Sequence, residues 1–337
     1  MRVVVAYNDD VDLKPHLGEF ERAGEEEVVS TAREVAALTG GSLLPVRDVA
    51  AAFDDLRRDS PDLVFNLCEG VAGKSGWEMH FALALEMLGI PFTGSDPTAI
   101  GICGDKGLTR ELLAAAGLPV PRGSVALTRR FAPPSPASWR GHAHPTRWIV
   151  KPVHEDAGIG IEPASVCSTQ AEVTARVEHV ITTYGQPALV EEFIEGRELN
   201  QALYHGRRGM VLLPPGEIVF SEGLRPEERV VGWKAKWAEG SEEDRATVNR
   251  TPAVIEDTLR SDLSDLCARA ASVLSIGGYC RFDLRQRPTG ELCILDVNPN
   301  PDIGSGSGFR KALRAAGMAF EEFLDELMIA AQSRRRP

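Results

Sequence analysis

No two of the six cysteines, at positions 68, 103, 167, 267, 280 and 293, form a C-x-x-C pair, and most lie in apolar surroundings. That pattern predicts buried, reduced thiols and argues against a zinc site or a disulfide framework. No apolar run approaches the roughly 18 residues that span a bilayer. The N-terminal "MRVVVAYNDD" lacks a signal peptide's basic start, long apolar run and small-residue cleavage site, so a cytoplasmic protein with no membrane partner is expected. Basic charge is also short, with 37 Lys and Arg against 49 Asp and Glu and a net charge of -12. A general nucleic-acid binder needs a basic face to displace counterions, so no nucleic-acid partner is expected, and "RRR" at 334–336 reads as a solvated tail. No repeat or low-complexity block is evident. What remains is a globular composition, 43% hydrophobic and 26% charged, on 337 residues, a length that favours two or three domains.

The N-terminal third alternates strands and helices. "RVVVAY" is a continuous apolar strand of the kind buried on both faces in a parallel sheet. A helical pattern runs from about Glu26 to Leu38 and ends at "TGG"; "SLLPV" is a second strand. "DVAAAFDDLRRDSPD" is an amphipathic helix stopping at Pro61, "LVFNL" a third strand, and "WEMHFALALEMLG" a helix closed by Gly89. The spacing predicts a doubly wound α/β domain whose binding edge lies at the strand ends, where "NDD" and "CEGVAGKSG" emerge. Beyond it come a helix near 106–116, a Pro-, Arg- and His-rich connection at 129–147, the strand "WIVKPV" and a helix near 169–184. The strand "ALVEEFI" and further strands follow, then a polar loop from about Trp237 to Thr251, a helix at 255–274, a hairpin and a final helix.

The hairpin concentrates charge among strand formers. "YCRFDLRQ" and "ELCILDV" are joined by the turn-forming "RPTG". Side chains alternate faces, so Arg281, Asp283 and Arg285 share one face while Phe282 and Leu284 share the other. A register pairing Phe282 and Leu284 with Leu295 and Val297 gathers Arg281, Asp283, Asp296 and Asn298. Oxygen ligands without histidine or cysteine suit Mg²⁺ beside a polyphosphate; a surface salt-bridge cluster is the competing reading.

Lys106 in "CGDKGLTRELL" and Lys151 in "WIVKPV" stand at helix or strand entrances. Lys151 interrupts an apolar strand and is soon followed by "HEDAGIGI", where Gly158 and Gly160 could bring backbone N–H groups to phosphate oxygens. "ALVEEFIEGRELN" adds Glu191, which could read an adenine edge with neighbouring backbone, and Glu198, which could accept ribose hydroxyls. In isolation the same residues also read as solvated charges and an acidic strand end.

The order of "VFNLCEG", "LLGIPFTGSDPTAI", "DKGLTRELLAAAGLPVP", "IVKP", "GIGI", "LVEEFIEGREL" and "RFDLR...LDVNPNP" resembles the ATP-grasp ligases, most of all the D-alanine:D-alanine ligase branch, from about residue 60 to the C-terminus. The resemblance implies a doubly wound domain (1–105), a central ATP-grasp lobe (106–195) and a C-terminal lobe (196–337), with ATP between the last two. It implies that Lys106 and Lys151 hold the phosphates, and that Glu191 and the backbone of Ile194 read adenine while Glu198 reads the ribose. Asp283, Asp296 and Asn298 would carry two Mg²⁺ ions, for which Mn²⁺ could substitute. Arg281 would face the oxyanion, Lys236 would come from a mobile loop, and a homodimer is expected as in relatives.

The same resemblance exposes departures. A serine-rich "EGSSVG" loop becomes "EDAGIG", so Ala157 and Gly158 lack hydroxyls; "NTxPG" becomes "NPNPD", placing Asp302 near the second substrate's carboxylate. Glu69 stands for a histidine and Trp237 for a tyrosine, whereas Ser307 matches an acceptor-pocket serine and Glu27 the acid that receives the first ammonium. The expectation is an ATP-dependent ligase joining an amino-acid or small-peptide carboxylate to an amine through an acyl phosphate, with substrates other than two D-alanines. The alternatives are a true D-alanine:D-alanine ligase and a non-catalytic ATP-binding regulator.

Overall fold

The computed structural model describes residues 1–9, 21–128, 147–238 and 240–334, with backbone alone for 21–26 and 237. Asp10 of "NDD", the connection at 129–146 and the tail beyond Arg334 lie outside the described residues. Among the described residues no helix is long and apolar enough to cross a membrane.

The N-terminal part runs β1 (Val3–Asn8), α1 (Glu21–Thr39), β2 (Ser42–Val46), α2 (Val49–Asp59), β3 (Leu63–Leu67), α3 (Glu78–Met87) and α4 (Pro97–Cys103). Its strands form a parallel sheet in the order β2-β1-β3. The strand period of two sends Val5, Tyr7 and Phe65 to one face, where Ala32 and Val35 of α1 cover them. Ala6 and Val64 face the other way into α2, α3 and α4 through Leu56, Phe81 and Ile100. Two-sided burial is why these strands read as unbroken apolar runs. The α2 helix is capped by Asp48, which accepts from the Ala51 N–H, and ends at left-handed Ser60 before Pro61. The unexpected α4 starts by the same rule, with Asp96 as N-cap and Pro97 in the first turn.

Next come α5 (Lys106–Ala115), β4 (Gly123–Ala126), β5 (Trp148–Pro152), β6 (Val166–Cys167), α6 (Gln170–Tyr184) and β7 (Ala188–Glu192). The strands form an antiparallel sheet in the order β4-β7-β5-β6, with Val173, Val177 and Val180 of α6 packed on Val150 and Val190. Thr169 and Glu172 form a capping box at the start of α6, and Gly185 ends it in the left-handed region.

The chain continues through β8 (Arg197–Gly206), β9 (Gly209–Leu212), β10 (Gly216–Phe220), α7 (Trp233–Trp237), α8 (Glu242–Arg245) and β11 (Thr247–Arg250). It closes with α9 (Asp257–Val273), β12 (Tyr279–Gln286), β13 (Leu292–Asn298), α10 (Gly308–Ala315) and α11 (Phe320–Ser333). These strands build a six-stranded antiparallel sheet, β11-β10-β8-β12-β13, with β9 on β8. Leu199, Phe282 and Leu284 pack on Leu263 and Cys267 of α9, and Leu113 of α5 joins that core. Tyr204, Tyr279, Phe309 and Phe323 share a core with the N-terminal sheet. At Gly278, with φ +67°, a Cβ would lie 2.3 Å from the Gly94 carbonyl carbon, so only glycine lets the two backbones cross there.

Four expectations need correction. The first helix begins at Glu21, not near Glu26. The polar loop at 237–251 holds the end of α7, then α8 and β11, the last paired with β10. The final helix is two, α10 and α11, parted at Gly317 with φ +71°. In the hairpin a β-bulge follows Asp283, so Leu284 opposes Ile294, and Ile294 replaces Leu295 in the core. The extra residue reverses parity beyond the bulge and turns Leu295 toward the cleft.

Candidate active site

A cleft of about 450 Å³ opens between the four-stranded and six-stranded sheets, with the N-terminal part and the 302–311 segment at one end. It is lined by Lys106, Lys151, Gly158, Glu191, Ile194, Glu198, Lys236, Arg281, Asp283, Asp296 and Asn298. Glu27, Glu69, Asp302 and Ser307 line it as well. Among the expected residues Gly160 is absent from the lining, and the side chain of Trp237 lies outside the described residues. Gly160 sits behind the loop, where a Cβ would meet Pro152 Cγ at 2.6 Å, and its carbonyl accepts from Arg176 Nη2 at 2.8 Å.

The hairpin supplies the centre of the site. Its register sets Asp283 opposite Asp296 and Arg281 opposite Asn298. Arg281 forks over Asp283, Nε to Oδ1 and Nη2 to Oδ2, each at 2.8 Å. Burial pulls the Arg281 pKa down, but Asp283 and then Asp296 raise it above the ordinary arginine value. Burial likewise opposes ionisation of Asp296, yet Lys106 and Lys151 outweigh it and hold this carboxyl below its usual range.

The two lysines approach from the smaller sheet. Lys106, in the first turn of α5 and only 6% exposed, lies 2.7 Å from Asp156 Oδ1 and 3.3 Å from Asp296 Oδ2. Burial depresses the Lys106 pKa, and Asp156 followed by Asp296 more than reverses it. Lys151 of β5 pairs with Glu191 of β7 at 2.6 Å and donates to the Leu295 carbonyl at 3.3 Å. Glu198 of β8 is paired with Arg285 at 2.8 Å. The sequence offered no sign of Asp156 as a lysine partner. Arg285 was signalled by its parity with Arg281 and Asp283.

Lys236 reaches the cleft from α7, a short helix rather than a loop. Desolvation by the cleft walls, then the Arg281 charge, lower its pKa from the ordinary lysine value. The glycine loop packs beneath the approach to α7. At Gly158, with φ +80°, a Cβ would stand 2.8 Å from the Gly232 carbonyl carbon and 3.0 Å from the Trp233 nitrogen. Gly158→Ala is therefore expected to destabilise the fold by about 1–3 kcal/mol, as thermal melts would measure. An unchanged melting temperature would contradict the packing.

At the other end two carboxylates converge on Gly304, whose Cβ position lies 2.7 Å from Glu27 Oε1 and 3.0 Å from Asp302 Oδ1. Burial, then Asp302, raises the Glu27 pKa; burial raises that of Asp302 against the Gly304 N–H, which donates to it at 2.7 Å. Ser307 caps α10 by accepting from the Arg310 N–H at 3.1 Å. A raised carboxyl pKa adds stability below the unfolded-state pKa that is lost as pH rises through the folded-state pKa. Asp302→Asn should thus raise the melting temperature at pH 8 by about 2 °C or more, with the gain vanishing below about pH 4. A pH-independent shift would count against the burial of this charge.

Asp283, Asp296 and Asn298 form a hard-oxygen donor set on the cleft side of adjacent strands, with Asp296 held ionised, and this set fits Mg²⁺. In the structure the two carboxylates are neutralised by Arg281 and Lys106. A metal with a polyphosphate would replace those pairings, since both signs of charge arrive together.

Two antiparallel sheets closing on such a cleft, behind a parallel-sheet N-terminal part, are the architecture of the ATP-grasp superfamily. A model of the D-alanine:D-alanine ligase C-terminus matches residues 112–329, and the chain belongs to this ligase family. It is 31% identical over 290 residues to a D-alanine–D-alanine ligase of Gluconobacter oxydans, covering 85% of this chain and 86% of that protein. The fold superposes on the Bacillus anthracis D-alanine–D-alanine ligase solved with ATP, with a TM-score of 0.73 and 18% identity over 98% of this chain and 97% of the other. The VanG D-Ala:D-Ser ligase of Enterococcus faecalis gives 0.66 and 19% identity, over 98% and 99%.

Proposed function

We propose that the protein joins a carboxylate to an amine at the expense of ATP, using a substrate pair other than two D-alanines. The observation that carries the reading is the charge layout of one cleft. Lys106, Lys151, Arg281 and Lys236 converge on the two hairpin carboxylates, and the Glu27–Asp302 pair closes the far end. Residues 1–105, 106–195 and 196–337 serve as the working division into parts.

Lys106 and Lys151 exchange Asp296 and Glu191 for phosphate oxygens, Glu191 and the Ile194 backbone meet the base, and Glu198 meets the ribose. The substrate carboxylate oxygen attacks the γ-phosphorus, the bond to the β-phosphate oxygen breaks, and ADP leaves an acyl phosphate. The amine then attacks the acyl carbon, the bond from that carbon to the phosphate oxygen breaks, and phosphate departs with the proton the amine gives up. Both steps spread negative charge over oxygens, which Arg281, Lys106 and Lys151 stabilise by standing pre-placed in the cleft. Held by Asp283, Asp296 and Asn298, Mg²⁺ would neutralise phosphate charge when bound. An acyl phosphate is labile to water, so the segment carrying Lys236 and the glycine loop under α7 would have to close over it during the reaction.

Asp302 supports the substrate part of the reading, because a carboxylate there repels the carboxylate of an amino-acid acceptor. The test adds hydroxylamine with ATP, Mg²⁺ and single amino acids or small peptides, expecting a hydroxamate and ADP from at least one carboxylate that is not D-alanine. Hydroxamate from D-alanine alone would remove the substrate claim. The 31% identity over 290 residues to a D-alanine–D-alanine ligase supports that second reading, in which the pocket is rearranged for the same substrates.

A further inference from the structure

Arg285 lies on β12 two residues past Asp283 and is only 4% exposed. A guanidinium buried so deeply is costly unless its donors are matched. Its Nε and Nη2 both donate to Glu198 Oε2, at 3.0 and 2.8 Å. Its Nη1 donates to the Ile194 carbonyl at 2.8 Å, and Nη2 also donates to the Arg229 carbonyl. The Phe193 and Phe220 rings flank it, 4.9 and 5.8 Å from Cζ. One side chain of the C-terminal sheet thus ties together the β7–β8 connector, the start of β8 and the segment leading to α7.

The pairing with Glu198 is asymmetric. An arginine commonly forks over both oxygens of a carboxylate, as Arg281 does over Asp283 and Arg197 over Glu217 in this chain. At Glu198 both N–H groups converge on Oε2. Glu198 lines the cleft, and its Oε1 has no protein partner among the described residues. The Ile194 carbonyl is also taken by Arg285, while among the described residues no backbone acceptor is found for the Ile194 N–H.

We propose that Arg285 is a positioning residue for nucleotide recognition: it fixes Glu198 with one oxygen reserved for the ribose hydroxyls and sets the Ile194 backbone at the base. This rests on the assignment of Ile194 and Glu198 to the ATP subsite. Arg285 touches no reacting group, so it governs nucleotide affinity and ribose selectivity.

Calorimetric titration of the full chain with ATP, 2′-deoxy-ATP, 3′-deoxy-ATP and inorganic triphosphate, each with excess Mg²⁺, tests this. The parent should prefer ATP over at least one deoxynucleotide by about tenfold, the effect of one charge-assisted hydrogen bond. Arg285→Met keeps the length and the contacts with the two phenylalanines. It should bind ATP about ten- to a hundredfold more weakly and lose most of the ribose preference, with triphosphate affinity within about threefold of the parent. A general loosening of the fold would weaken all four ligands alike, and that result would overturn the proposal. If Arg285→Met unfolds at the titration temperature, Arg285→Lys is titrated instead; it keeps the charge, cannot reach Glu198 and Ile194 together, and should show the same loss of preference. A folded variant retaining the parent's ribose preference overturns the role of Arg285 alone. A parent that binds ATP without ribose preference overturns the role of Glu198, and a parent that binds no ATP overturns the nucleotide assignment itself.

Discussion

Asp296→Asn should lower kcat by about a thousandfold or more while leaving a folded protein that binds ATP within about tenfold of the parent. Asp296 is where the site's charges meet: opposite Asp283 in the hairpin, 3.3 Å from Lys106, and held ionised by Lys106 and Lys151 against burial. Asparagine keeps the shape and one oxygen but removes the charge that a divalent ion and both lysines require. In the proposed assignment ATP keeps Lys151, Glu191, Ile194 and Glu198, so binding is expected to suffer less than turnover. Single-turnover ADP formation and calorimetry separate the two quantities. Turnover within tenfold of the parent would show that Asp296 carries no metal in the reaction.

Arg281→Met should reduce kcat by about a hundred- to a thousandfold with ATP affinity within about threefold, since a pre-placed donor at a developing oxyanion acts on the transition state and not on the nucleotide. The guanidinium forks over Asp283 at 2.8 Å on both arms and keeps its proton at any working pH. Arg281→Lys should recover part of the rate, because charge returns without the fork. The readout is kcat against KM for ATP over the three proteins. A Met variant whose loss lies entirely in KM for ATP would move Arg281 from the acyl carbon to the phosphates.

Much of this arrangement was legible in the residues. The N-terminal strands show as unbroken apolar runs because helices cover both faces, and the hairpin charges show because strand parity places them on one side. Parity counting failed where a bulge inserts Leu295, since nothing in "ELCILDVN" marks the extra residue. The strand at Thr247–Arg250 was hidden because a half-exposed edge strand of polar residues looks like a loop. The helix α4 was not read from the sequence, although Asp96 before Pro97 is a helix-start pattern. The ion pairs of Lys106 with Asp156 and of Arg285 with Glu198 join residues 50 and 87 apart, which no local pattern reaches. Gly158 was noted for phosphate contact, and the structure adds a packing reason for it against Gly232.

The Glu27–Asp302 pair bears on which amine enters. Two carboxylates whose pKa values are raised by burial are a poor seat for a substrate carboxylate and a good one for an ammonium or another hydrogen-bond donor. On the proposed assignment the nucleotide end and the acceptor end are separable in experiment, with Asp296 and Arg281 reporting on the first and Asp302 on the second.

The most direct measurement is ADP and product formation by the parent protein with ATP and Mg²⁺ across amino acids and small peptides, singly and in pairs, with products identified by mass. ADP, phosphate and one amide are expected in equal amounts for a pair containing a member other than D-alanine, with slow reaction on D-alanine alone. D-alanyl-D-alanine as the fastest product would contradict the substrate claim. ADP formation without an amide from any pair would contradict the ligase itself.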